Sequence, residues 1–335
     1  MGTLIGHVGP GFGFFVIGLW HLYNHLKLLA QKGPADYTSL AWFPAKLLRH
    51  LELYLIMGGC AASVAMELFI GPDRHQPFDP DGTIPSNHLH NFEHSSISLT
   101  FFVYAAFALA LDKLPTRHGS GSPRPGPDQH DVLQFVGAMA FGQQLLLFHL
   151  HSADHMGVEG QYHWLLQLVV FVSLATTLLG IGAPRSFIVG FVRSLSILFQ
   201  GVWFMVMGFA LWTPGLIPKG CFMHEEEGHK VVRCNSDESL HRAKALVNIQ
   251  FSWLLILFAV FAASFYVFMI RVYGGEYNYK TADYSPMSPL TTSDEEEEDV
   301  EAQKIGPKSA ETQRFVHGNK AIDHMESLKH LNLLI

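Results

Sequence analysis

The chain contains seven long apolar stretches, which constrain its fold more than any other feature of the sequence. An apolar run of about 20 residues crosses a bilayer as a helix, because lipid offers the backbone no hydrogen-bond partners. Charged residues make up only 15% of the chain and gather mainly at the ends of these runs. The sequence therefore predicts an all-α, polytopic membrane protein with seven transmembrane helices. We place these helices at about 6–30, 51–71, 87–112, 131–151, 162–183, 194–213 and 245–272.

The distribution of Lys and Arg predicts the orientation, because short loops rich in these residues stay in the cytoplasm. The first, third and fifth loops are basic, the fifth through Arg185 and Arg193, whereas the fourth has neither Lys nor Arg. We therefore expect a lumenal or extracellular N-terminus and a cytoplasmic C-terminus. The sixth loop, 214–244, then faces an oxidising lumen, where Cys221 and Cys234 either form a disulfide or stay free thiols.

The composition changes after the last apolar stretch. We divide the chain into a membrane domain, 1–275, and an acidic cytoplasmic tail, 276–335, which we expect to be disordered. The segment from Tyr284 to Met287, "YSPM", either binds a clathrin adaptor by adding a strand to a sheet edge or matches such a motif by chance. Membrane lipid is the other partner that we expect, and we expect no nucleic acid.

Histidines and carboxylates converge on the predicted lumenal side of the membrane. The stretch 149–163, "HLHSADHMGVEGQYH", holds four His, one Asp and one Glu between two apolar runs. With the predicted orientation, five separate segments place such groups at one depth, and ionisable groups in membrane segments more often serve function than accident. The candidate metal ligands are His7, Glu67, His94, His149, His151 and His163, with His90, Asp154 and His155 as secondary candidates.

Three functions fit this cluster. Imidazole and carboxylate groups suit Zn²⁺, although another divalent metal fits as well. The cluster could instead respond to protons or supply structural polar contacts between helices. A bound metal would lower the pKa of a water, so one alternative is a membrane lipid hydrolase with Glu67 or Glu93 as candidate base. The sequence contains no HExxH motif and no CxxC pair, and it leaves catalytic residues unassigned.

A second pair, His21 and His25, lies near the predicted cytoplasmic end of the first helix. With His50 and Glu52 it either forms another polar site or anchors the helix at the membrane interface, and we favour anchoring because of its aromatic neighbours. Ser194, Ser196 and Gln200 are expected to line the bundle interior, and Gly201 and Gly208 to allow close helix contact.

Several strings resemble the transmembrane protein 45 family, a domain-of-unknown-function membrane family of plants and animals, and the chain looks like a plant member of it. The strings are "GHVGPGFGFFVIGLW", "MELFIGP", "EHSSISLTFF", "HLH" followed by "YHWLL", and "VRSLSILFQGVWFMVMGFALWTP". The resemblance covers about residues 1–275. It implies an integral protein of Golgi, endosomal or plasma membrane without an established activity. Because some plant members respond to viral attack, it also implies a trafficking or defence-response scaffold as a further alternative.

The resemblance bears on individual residues as well. His88, His90 and His155 match the family pattern less well, and the family supplies no catalytic assignment. The residues that match it are His7, Glu67, His94, His149, His151, His163, Arg193 and Gln200.

Overall fold

The computed structural model describes residues 3–71, 75–114, 127–150, 157–226 and 229–275, and this part of the chain is mostly helical. Seven of its helices are long and apolar enough to cross a membrane, as the sequence predicts. The acidic tail, with the segment from Tyr284 to Met287, lies outside the described residues. The helices are α1 (Leu4–Lys32), α2 (Leu51–Ala65), α3 (Leu89–Lys113), α4 (Pro127–His149), α5 (Gly157–Gly182), α6 (Phe187–Trp212) and α7 (Asp237–Tyr273).

Helices α5 and α6 begin earlier than predicted, at Gly157 rather than 162 and at Phe187 rather than 194. Helix α7 begins at Asp237 rather than near 245, because the Ser236 side chain caps it by accepting a hydrogen bond from the Ser239 N–H at 3.2 Å. Helix α2 continues into a π-helical turn, Met66–Ile70, in which the Gly71 N–H donates to the Met66 carbonyl at 2.7 Å. Such turns occur often at functional sites, and this one carries Glu67.

The sixth loop corrects the all-α prediction. It contains an antiparallel hairpin of β1 (Cys221–Glu226) and β2 (His229–Cys234), in which Cys221 pairs with Cys234. These two cysteines are also joined by a disulfide, so the bridged alternative is confirmed. The charged residues in these short strands obscure the alternating pattern by which strands are predicted. Val232 of the hairpin is buried, and its carbonyl lies close to Gly157 at the start of α5.

The first six helices form an arc. Helix α1 packs on α6, and the order then continues through α5, α4 and α3 to α2, while α1 and α2 meet only briefly. Helix α7 packs on α1 and α5 from outside. Its outer face exposes large apolar side chains, including Trp253, Ile256 and Leu257. This surface suits contact with lipid rather than water.

The contact between α1 and α6 depends on glycine. A Cβ at Gly18 would lie 2.3 Å from the Leu198 nitrogen, and a Cβ at Gly201 would lie 2.2 Å from the Phe15 nitrogen. Both obstacles are backbone atoms, which no side-chain rotation can remove. The expectation that Gly201 permits close helix contact is therefore confirmed, and Gly18 supplies the matching position on α1.

Replacing Gly18 with alanine should force α1 and α6 apart. We expect the variant to lose about 1–3 kcal/mol of stability, the usual penalty for overpacking, and to unfold at a lower temperature in detergent. Gly9→Ala is the matched control on the same helix, since a Cβ there meets nothing within 4 Å. Equal unfolding midpoints for the two variants would contradict this account of the interface.

Candidate functional site

The arc of helices encloses one elongated cavity of ≈ 620 Å³. Apolar side chains such as Phe101, Phe141 and Ile197 form most of its wall. Ile5 and Phe12 of α1 and Leu55 of α2 line the cavity and are also exposed, so it opens sideways between α1 and α2. Polar residues lie at both ends. We name these the His7 end, with His7, Glu67, His94 and His163, and the His21 end, with His21, Glu52, Gln134 and Arg193.

At the His7 end, three side chains could hold one metal ion. Donor atoms of His7, Glu159 and His163 all lie within 4.8 Å of one another. His7 and His163 are buried, and Glu159 is half-buried. Glu159 and His163 share a face of α5 because they are four residues apart. Helix α1 brings His7 to them, with the two imidazole ring centroids 6.0 Å apart.

The surroundings of His7 fix its orientation. Its ring stacks on the Trp212 ring at a centroid distance of 4.4 Å. Its Nδ1 lies 3.1 Å from the Thr3 carbonyl oxygen. A carbonyl can only accept, so Nδ1 is the donor in this contact, and in a neutral imidazole Nε2 is then the nitrogen that can bind a metal. Metal-ligating histidines typically have the second nitrogen held in this way.

Glu67 and His94 form a neighbouring pair. The Glu67 carboxylate is buried and lies 3.3 Å from His94 Nδ1. The Asn91 amide donates to the same carboxylate at 3.0 Å and to the Glu67 carbonyl at 2.9 Å. Within the described ranges, the group of three metal-binding donors does not extend to this pair. Glu67 and His94 nevertheless line the same cavity.

His149 and His90 are the other predicted ligands within the described residues, and neither belongs to the group of three donors. His149 is exposed, with Nδ1 3.4 Å from the Gln167 amide oxygen. His90 is half-buried beside His94, with ring centroids 6.2 Å apart, and Glu93 is half-buried on the same helix. The remaining three candidates, His151, Asp154 and His155, lie outside the described residues.

The interpretation of His21 and His25 as interfacial anchors is wrong, because both side chains are buried. His21 Nε2 lies 2.7 Å from a carboxylate oxygen of Glu52. The other carboxylate oxygen accepts from the Trp20 indole at 3.0 Å and from the Phe43 N–H at 2.8 Å. Three donors thus compensate for the burial of Glu52. His50 does not join this cluster and instead pairs with Asp112 at 2.8 Å.

Arg193 lies in α6, beside this cluster. The prediction that it belongs to the basic fifth loop is therefore wrong. The Arg193 side chain is buried and donates to Gln134 Oε1 at 2.8 Å, Ser39 Oγ at 3.2 Å and the Leu40 carbonyl at 3.1 Å. All three acceptors are neutral oxygens. Among the described residues, no carboxylate forms an ion pair with it.

Sequence reasoning missed Glu159 and the position of Arg193. The sequence does contain a signal for Glu159: it lies four residues before His163, which is near the start of the predicted fifth helix. Arg193 resembled a charge at a helix end, and only the tertiary structure shows that Gln134 and the segment after α1 close over it.

The described part of the chain is a mostly helical protein with seven helices long and apolar enough to cross a membrane and with polar groups at both ends of an internal cavity. A comparison with protein families matches residues 130–267 to a family of unknown function, DUF716. The matched region runs from α4 into α7 and includes Glu159, His163 and Arg193. The chain is therefore similar to a family without an assigned activity, which agrees with the family type that the sequence strings indicate.

Tyr37, in the segment between α1 and α2, should make stability depend on pH. Its hydroxyl lies 2.7 Å from His25 Nδ1, and burial raises its pKa to about 12. A group whose pKa is higher in the folded than in the unfolded state stabilises the fold at pH values below its unfolded pKa. For Tyr37 this contribution is therefore lost as the pH rises from about 10 to about 12. The stability difference between wild type and Tyr37→Phe should then fall by roughly 3 kcal/mol. A constant difference in chemical unfolding across that range would refute the prediction.

Proposed function

We propose that this protein binds one divalent metal ion, with Zn²⁺ as the best fit, through His7, Glu159 and His163. The observation that carries the proposal is the grouping of their donor atoms within 4.8 Å of one another. Two imidazoles and one carboxylate form a common zinc ligand set, and three protein ligands leave one coordination position for water or substrate. The tautomer of His7, held by the Thr3 carbonyl, supports the same assignment.

We further propose that the His7 end faces the lumen of a Golgi or endosomal compartment or the cell exterior. The Cys221–Cys234 disulfide supports this orientation, because such bonds persist in oxidising compartments. The hairpin that carries it contacts α5 and α7, and Gly157 at the start of α5 lies next to Val232. The disulfide and the proposed metal site therefore belong to the same end of the bundle.

A second candidate function is hydrolysis of a membrane lipid at this metal. It is favoured by the cavity, which starts at His7 and His163 and continues between apolar walls. A bound metal would lower the pKa of a coordinated water. Glu67 is the better placed of the two candidate bases, since it lines the cavity.

A scaffold that uses the tail for adaptor binding would need neither the metal nor the cavity.

Elemental analysis of detergent-purified protein, with matched variants, tests the metal site. We expect one equivalent of bound metal in the wild type and affinity at least about tenfold weaker in His163→Ala or Glu159→Gln, since each loses one ligand. His149→Ala is the control, because His149 lies near the same end but outside the group of three donors. Cooperative unfolding of all four proteins in the presence of a chelator shows that the variants still fold.

Full metal content in His163→Ala, or equal losses of bound metal in His149→Ala and His163→Ala, would contradict this ligand assignment. Metal-free wild type after reconstitution with Zn²⁺ would reject the metal site altogether. The proton-responsive and scaffold alternatives would then be the ones to pursue.

A further inference from the structure

The His21 end of the cavity contains a buried arginine, Arg193, whose hydrogen bonds all go to neutral oxygens. Arg193 is only 3% exposed and lines the cavity. Buried charges are normally paired, because the transfer of an ion from water is costly. The three acceptors of Arg193 are neutral, and the nearby Glu52 carboxylate is engaged by Trp20, His21 and Phe43. A guanidinium has five N–H donors, so Arg193 retains capacity for an anion.

A second polar atom lines the same end. His21 Nε2 donates to Glu52, while its Nδ1 is buried without a hydrogen-bond partner among the described residues. His21 is 5% exposed and borders the cavity. Two buried polar groups at one end of an apolar cavity suit a polar head group whose apolar part fills the rest.

The dimensions fit one long acyl chain. His7 and His21 mark the two ends and are fourteen residues apart on α1, which corresponds to about 21 Å along the helix. This length exceeds the thickness of one leaflet of the bilayer core, which is about 15 Å. The cavity volume of ≈ 620 Å³ is in the range of ligand sites rather than of packing defects. The opening between α1 and α2 would admit the ligand from the bilayer.

We propose that the cavity binds a long-chain fatty acid, with its carboxylate on Arg193 and its chain directed towards His7. Charge complementarity selects the carboxylate end, and the apolar wall accepts the chain. The carboxylate end of this site is separate from the metal site proposed above, because the proposed metal ligands lie at the His7 end. Binding of the acid therefore does not require a metal ion.

Binding of radiolabelled palmitate to the delipidated full-length protein tests the proposal. We expect saturable binding of one equivalent and about 10- to 100-fold weaker affinity for Arg193→Gln, which loses a charge-assisted hydrogen bond. Arg193→Lys should retain more affinity than Arg193→Gln because it keeps the charge. Hexadecanol should compete at least about tenfold less well than palmitate for the same reason.

A cavity-filling pair keeps the test valid if the Arg193 variants fold poorly. Gly59 lines the cavity, whereas the neighbouring Gly58 does not, and a Cβ at either position meets nothing within 4 Å. Gly59→Leu should therefore weaken palmitate binding, and Gly58→Leu should not. Glu159→Gln should bind palmitate as the wild type does, even though it is expected to bind metal more weakly, because Glu159 does not line the cavity.

Three results would overturn the proposal: no saturable palmitate binding, equal affinity of Gly58→Leu and Gly59→Leu, or equal competition by hexadecanol and palmitate. Loss of palmitate binding in Glu159→Gln with full binding in a folded Arg193→Gln would place the carboxylate on the metal instead. That result would reject the Arg193 assignment while supporting the proposed metal site.

Discussion

The close contact between α1 and α6 positions His7, His21 and Arg193, which are polar groups at the two ends of the cavity. Glycine at positions 18 and 201 lets the two backbones approach to distances that no larger residue allows. At one end of this contact, His7 packs over Gly208 and against Trp212. Towards the other end, His25 lies against Gly190. A change in the separation of these helices would therefore disturb both clusters at once.

The two ends of the cavity contain different charged groups with different partners. At the His21 end, Glu52 receives three donors, and its burial is compensated within the protein. Arg193 is hydrogen-bonded only to neutral oxygens. At the His7 end, imidazole and carboxylate groups lie close together, as they do in many zinc sites. One apolar cavity thus joins two ends of different polar composition, and this difference underlies both proposals.

Much of the fold could be predicted from the sequence because membrane helices depend on a simple property, the length of an apolar run. The convergence of His7 with His163 and of Glu67 with His94 also followed from alternating helix direction. That reasoning gives depth in the membrane but not angle around the helix axis. It therefore could not separate the Glu67–His94 pair from the His7 group, place His149 beside Gln167, or select Glu159. Arg193 and the β-hairpin depended on tertiary contacts that no periodicity reports.

X-ray absorption at the zinc edge of the Zn²⁺-loaded protein tests the central claim most directly, because it counts the ligands. The ligand set of His7, Glu159 and His163 predicts nitrogen and oxygen ligands at about 2.0–2.2 Å, with the scattering of two imidazoles in the wild type and of one in His163→Ala. A spectrum with sulfur or water ligands only would contradict the account. An imidazole count unchanged by the loss of His163 would contradict it equally.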